Sequence, residues 1–134
     1  MILVDANVFM YAAGADHPNK APSVAFLTAV ASGRTDACVD AEVLQEILHR
    51  YRALRRWDEG GQVYDLARQI VPVVLPIEAE TLDSARNLLD QFASLTARDA
   101  LHAAAALKVG GEICSYDTDY DCIPGLLRKL PDQF

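Results

Sequence analysis

Apolar positions along the chain fall into two patterns. Short, mostly apolar strand-like runs occupy residues 2–5, 36–39, 73–75 and 113–115. Each has the length of a strand buried on both faces. Between them lie longer stretches with helical spacing. The clearest carries Leu44, Ile47, Leu48 and Tyr51 at i, i+3, i+4 and i+7, one apolar stripe on a helix. The pattern predicts a short helix after Asn7 and further helices over 22–33, 41–55, 58–70, 78–92 and 98–109. Gly33 ends the second, and Gly110-Gly111 stops the Ala-rich last one. Pro124-Gly125 and Pro131 punctuate the tail, which has room for one short edge strand. Strands separated by helices require crossover connections. The expected fold is therefore α/β, a single domain over residues 1–134 with a small parallel β-sheet flanked by helices on both faces.

Two of the strand-like runs stop abruptly at acids. Leu3-Val4 runs into Asp5, and Ile113-Cys114-Ser115-Tyr116 runs into Asp117. Buried parallel strands present functional groups at their C-terminal tips, the edge where open α/β sheets bind ligands. If these strands are neighbours, the two carboxylates repel by roughly 4 kcal/mol at about 4 Å with an effective dielectric near 20. Either their pKa values rise or a hard cation sits between them.

Composition narrows the setting. A chain of 134 residues, 51% apolar and 23% charged, buries an adequate core without staples. No apolar run approaches the roughly 20 residues that span a bilayer, so no membrane association is expected. Met1 leads directly into a strand-like segment, which leaves no room for a signal peptide. The three cysteines are odd in number and lack C-x-x-C spacing. Cys38 and Cys114 read as small buried hydrophobes, in keeping with a cytoplasmic protein. The net charge of −7 argues against nucleic-acid binding, since phosphate contacts need Lys and Arg. Its distribution softens that objection. Four of the twelve basic residues, Arg50, Arg52, Arg55 and Arg56, fall in one stretch beside His49, and a divalent ion would cancel part of a local acidic excess.

Each candidate acid has a structural reading beside a chemical one. Asp5 suits a helix N-cap as well as a site. Glu42 and Glu46 share a helix face away from the core stripe. The helix dipole accounts for Glu42 in the first turn but not for Glu46, which becomes the site candidate. Asp99 follows Thr96 by three, a capping-box spacing. Its helix leads into the fourth strand, which also allows Asp99 to face the strand tips. Asp117, Asp119 and Asp121 alternate like a calcium loop but lack the glycine and the closing glutamate of one. Asn7 and Ser115 can orient water or support a ligating carboxylate. Arg98 and the Arg50–Arg56 stretch are candidate phosphate contacts. His17, His49 and His102 form no ligand pair, and His102 reads as a packed histidine. The donors are hard oxygens, which disfavours zinc. No phosphate-binding glycine loop or serine-nucleophile motif is present.

Taken in order, Leu3-Val4-Asp5-Ala6-Asn7, Val43-Leu44-Gln45-Glu46-Ile47-Leu48, Arg98-Asp99-Ala100-Leu101-His102-Ala103-Ala104 and Ser115-Tyr116-Asp117-Thr118-Asp119-Tyr120 make the chain resemble a PIN domain, specifically a VapC-type ribonuclease toxin of toxin–antitoxin systems. The resemblance implies an acidic tetrad on Asp5, Glu46, Asp99 and Asp117 that binds Mg²⁺ or Mn²⁺, with Asp119 as a further catalytic acid. It implies cleavage of RNA by metal-activated water, leaving a 5′-phosphate and a 3′-hydroxyl. It also implies a homodimer and a cognate VapB-like antitoxin. Tyr116 stands where the family frequently has Asn, and Tyr120 where it frequently has Phe. Neither departure removes an acid.

Competing classes fit less well. A dehalogenase-like phosphatase needs Asp at position 7, where Asn7 stands, and a receiver domain needs paired acids at the first strand and a late Lys. A free-standing PIN nuclease without an antitoxin, or a non-catalytic interaction module of the same fold, remains as the alternative.

Overall fold

The computed structural model describes residues 1–134. Five parallel strands form one sheet: β1 (Ile2–Val4), β2 (Ala37–Asp40), β3 (Val74–Leu75), β4 (Glu112–Cys114) and β5 (Leu127–Lys129). Their spatial order is β3-β2-β1-β4-β5. Six helices connect them: α1 (Ala6–Ala13), α2 (Lys20–Ala31), α3 (Ala41–Ala53), α4 (Trp57–Ile70), α5 (Ala79–Gln91) and α6 (Ala97–Lys108). Element boundaries depart from the sequence expectation by one or two residues. The fifth strand is real and pairs along β4 from Glu112↔Leu127 to Cys114↔Lys129.

Strand β1 is the hub. Leu3 pairs with Cys38 on one side and with Ile113 on the other, and all three of these side chains are buried. Burial on both faces explains why the central strands read as continuous apolar runs. The chain builds outward from β1 through β2 to β3, then returns to place β4 on the opposite side of β1. Right-handed crossovers running in opposite directions put their helices on opposite faces. Accordingly α1 to α4 pack among themselves, while α5 and α6 form a separate pair with α6 against β1 and β4. Ala100, Ala103, Ala104, Ala105 and Ala106 of α6 are all buried; Ala103, Ala105 and Ala106 join the core that holds the strands, while Ala100 and Ala104 pack against Ala85 of α5. Its end is enforced by Gly111. That residue has φ +78, and a Cβ there would lie 2.5 Å from the Gly125 carbonyl.

This return makes a topological switch point between β1 and β4. Crevices at such points, beyond the carboxyl ends of the strands, are where open sheets bind ligands. The Asp5 amide donates to the Cys114 carbonyl at 3.0 Å, which brings the two acid-bearing strand tips together.

Candidate metal centre

Asp5 emerges from β1 directly into α1. Its carboxylate caps that helix, accepting from the Ala6 amide at 2.7 Å. The other oxygen accepts from Ser115 Oγ at 2.6 Å and from Asn7 Nδ2 at 3.2 Å. Ser115 in turn accepts from the Asp117 amide at 3.0 Å, and Asn7 Oδ1 accepts from the Tyr116 amide. The tips of β1 and β4 are thus laced into one unit. The cap and the site readings of Asp5 are compatible, because capping uses only one oxygen.

Glu46 projects from the middle of α3 at the position the core stripe leaves free. Its Oε2 lies 3.3 Å from His102 Nε2. His102 Nδ1 lies 2.7 Å from Asp40 Oδ2. Asp40 is itself fully buried at the tip of β2 and caps α3 through the Val43 amide at 2.8 Å. His102 is therefore a packed histidine, as its sequence context suggests, but it also joins Glu46 to buried Asp40. Asp40 escaped notice in the sequence. It ends an apolar strand as Asp5 does, and the same rule applied to Ala37-Cys38-Val39-Asp40 would have found it.

Asp99 makes a full capping box with Thr96: Thr96 Oγ1 accepts from the Asp99 amide at 3.1 Å, and Asp99 Oδ2 accepts from the Thr96 amide at 3.3 Å. Asp117 caps a short 3-10 helix, Thr118–Cys122, by accepting from the Asp119 amide at 2.9 Å. Ligand atoms of Asp99, Asp117 and Asp119 lie within 4.8 Å of one another, as do those of Asp5, Glu46 and His102. Asp121 is turned elsewhere. It pairs with Arg128 at 2.7 and 3.0 Å, and Arg128 also donates to the Ser115 carbonyl. That pair fastens β5 to the loop after β4.

The electrostatics follow from burial. Desolvation pushes the Asp5 carboxyl up to about 6, with Glu46 adding to the rise. Nearby His102 and the hydrogen bonds from Ser115 and Ala6 hold it back. Burial disfavours a charged His102, but its bonds to Asp40 and Glu46 outweigh that and raise its pKa to about 10. Asp117 raises the pKa of exposed Asp119. These are signs of negative charge crowded together. Tyr120 is wholly buried, and its hydroxyl has no hydrogen-bond partner. Burial and the four carboxylates Asp5, Asp99, Asp117 and Glu46 push its pKa well above the usual phenol value.

The donor set suits a hard divalent cation: several carboxylate oxygens from two strand tips and two helices. Arg98 is half-buried and turned toward the acids of α3. Its Nε is 3.2 Å from Glu42 and its Nη1 is 3.8 Å from Glu46. A cleft of about 440 Å³ leads away from the acids between α1 and α3, lined by Asn7, Met10, Tyr11, Arg50, Leu54 and Arg56 among others. Tyr116 borders it indirectly, its ring meeting Tyr11 edge-on at 5.0 Å and its hydroxyl bonded to Ser23 and Asn19 of the α2 region.

A parallel sheet with a switch point under converging carboxylates is the architecture of a metal-dependent nuclease class, and sequence comparison identifies which one. The PIN domain profile matches residues 2–126, so the chain belongs to the PIN domain family. It is 41% identical over 129 residues to the VapC ribonuclease Mb1869c of Mycobacterium bovis and to ribonuclease VapC13 of Mycobacterium tuberculosis. In each case the match covers 96% of this chain and 98% of the relative. Ribonuclease VapC23 of Mycobacterium tuberculosis is 36% identical over 110 residues, covering 82% of this chain and 86% of the relative. Among solved structures, VapBC2 from Rickettsia felis bound to a DNA fragment from their promoter superposes with a TM-score of 0.75. The alignment covers 97% of this chain and 98% of that one, at 15% identity, a likeness of fold. No helix is long and apolar enough to cross a membrane.

Proposed function

We propose that this chain is the VapC-type endoribonuclease of a toxin–antitoxin pair and hydrolyses RNA phosphodiesters in the cytoplasm with Mg²⁺ or Mn²⁺. The observation that carries the reading is that Asp5, Glu46, Asp99 and Asp117 all line one cleft at the switch point, in two groups of acids, in a chain 41% identical to VapC ribonucleases over nearly its whole length. When bound, the cation supplies Lewis acidity, activating water and stabilising charge on the phosphate oxygens.

The protein's own part is placement. Asn7 and Ser115 hold Asp5 and the Asp117 backbone in register, and His102 holds Glu46. Asp99 spends one oxygen on the Thr96 amide, whereas the Asp119 carboxylate is exposed and accepts no bond within the protein. Asp119 is therefore the better acceptor for the proton of an attacking water. Arg50 lines the cleft one helical turn beyond Glu46 and has no acidic partner, while Arg56 is paired with Glu59 at 2.6 Å. Arg50 is the residue suited to the phosphate next to the scissile one. Arg98, bound to Glu42 and Glu46, acts on the acids rather than on RNA.

The partners follow from the same reading: a homodimer, and a VapB-like antitoxin whose basic tail lays an Arg into the acidic cleft, since guanidinium pairs bidentately with carboxylates. The decisive experiment incubates purified chain with RNA in Mg²⁺, in Mn²⁺ and in chelator, beside Asp5→Asn. Metal-dependent cleavage by wild type and none by the variant supports the assignment. Binding without cleavage under any metal would make the chain an interaction module of this fold. Co-expression with the neighbouring gene product, intact and tail-truncated, tests inhibition: a free-standing nuclease would bind neither.

A further inference from the structure

The Tyr120 hydroxyl is the one buried side-chain polar atom in the protein without a hydrogen-bond partner. Such groups are rare, and each calls for a physical account. Tyr120 follows Asp117 by three residues on the 3-10 helix that Asp117 caps. That helix packs against α6, the helix carrying Asp99. The hydroxyl is sealed beneath the acid-lined cleft and within electrostatic reach of the carboxylates of Asp5, Asp99, Asp117 and Glu46. None of them bonds to it. A phenol facing negative charge turns its hydrogen toward that charge and serves as a donor. A phenylalanine would fill the same space without the cost of an unpaired hydroxyl. What the hydroxyl needs is an acceptor, and a hydrated divalent ion brings one with it, because such ions keep several waters when bound by few carboxylates.

We propose that Tyr120 is a positioning residue of the metal centre, its hydroxyl donating to a water that the bound cation orders among Asp5, Glu46, Asp99 and Asp117. This rests on the metal-dependent reading above. Loading the site then completes the hydrogen bonding of the core beneath it. The cation's hydration is oriented from the buried side as well as by the carboxylates.

The test compares wild type with Tyr120→Phe, both stripped with chelator and titrated with Mn²⁺ by calorimetry and thermal melting. Losing one neutral hydrogen bond predicts Mn²⁺ binding weaker by about three- to tenfold in Y120F, with a smaller Mn²⁺-induced rise in Tm. Without metal, Y120F melts at or above wild type, because the unpaired hydroxyl is gone. A second readout is the near-ultraviolet tyrosine difference signal on adding Mg²⁺, present in wild type and reduced in Y120F. The metal-dependent difference decides. Equal affinity and an equal rise in Tm overturn the role of Tyr120, whatever the stability of the metal-free variant. Failure of wild type itself to bind Mn²⁺ overturns the metal-dependent reading instead.

Discussion

Replacing His102 probes the network beneath Glu46, and the sign of its pH dependence is unusual. In the metal-free protein, hydrogen bonds to Asp40 and Glu46 raise the pKa of His102 from 6.5 to about 10 against the opposing effect of burial. A group with a raised folded-state pKa contributes stability that is fully present below its unfolded value and is lost as pH climbs through the folded one. At about 1.4 kcal/mol per pH unit, the whole shift corresponds to an upper bound of about 5 kcal/mol. Between about pH 7 and about pH 9 the loss amounts to at most about 3 kcal/mol. Asp5, raised from 3.8 to about 6, gives up its own contribution below that window and does not disturb it. The assay is urea unfolding in chelator across this range, for wild type and His102→Gln. Subtracting the two removes cysteines and tyrosines that titrate alike in both. Wild type should lose more stability than H102Q as pH rises, by up to about 3 kcal/mol. At neutral pH, H102Q should be less stable by about 3–5 kcal/mol because Asp40 loses its partner. Adding Asp40→Asn, which keeps a cap for Val43, should recover much of that. If wild type lost no more stability than H102Q between these pH values, the buried ion-pair account of His102 would be wrong.

Asp5→Asn should abolish metal binding while stabilising the metal-free fold by about 1–3 kcal/mol, since a buried carboxyl with a raised pKa is costly when ionised. Calorimetry with Mn²⁺ and a melting curve check both halves, and equal metal binding by wild type and variant would refute the site. Arg50→Ala should raise KM for RNA severalfold with little change in kcat and make the salt dependence shallower by about one ion; a fall in kcat at unchanged KM would move Arg50 out of the substrate path. Glu42→Ala removes a partly exposed ion pair worth at most about 1 kcal/mol and should leave cleavage within a few-fold of wild type. A dead E42A beside an active Glu46→Ala would mean that the metal-facing acid of α3 is one turn earlier.

Hydrophobic patterning carried the fold because each central strand is buried on both faces and each crossover helix is long enough to show its period. The weak points were the ends. The two-residue β3 and the edge strand β5 have too few residues to declare themselves, and pairing with a neighbour defines them. Asp5, Asp99 and Asp117 were visible as acids at strand tips and helix starts, and the structure shows each one capping while facing the cluster. Glu42 and Glu46 share a face, and only position along the helix dipole set them apart; in the structure Glu46 bonds to His102 and lines the cleft, while Glu42 pairs with Arg98. Invisible in sequence was whatever depends on residues far apart in the chain. Asp40 and His102 are separated by 62 positions, and nothing local to either reveals their bond. Arg98 looked free for phosphate because its partners lie on another helix. Tyr120 stood out in the sequence only as a residue where the family frequently has Phe, and only the packing around it shows a hydroxyl with nothing to hold.

The switch-point topology has a consequence for synthesis. Ser115 Oγ and Asp5 Oδ2 meet across a separation of 110 residues, because β1 is the earliest strand made and β4 its late neighbour. A nascent chain can lay β2 beside β1 and wrap α1 to α4 around them, yet half of the acidic edge is still missing. Asp99 and Asp117 follow Asp5 by 94 and 112 residues. An enzyme that attacks RNA is made on a machine built of RNA and read from a message of RNA. On the proposed reading of the site, the sheet order keeps it unarmed on that machine until β4 and the residues after it have been made.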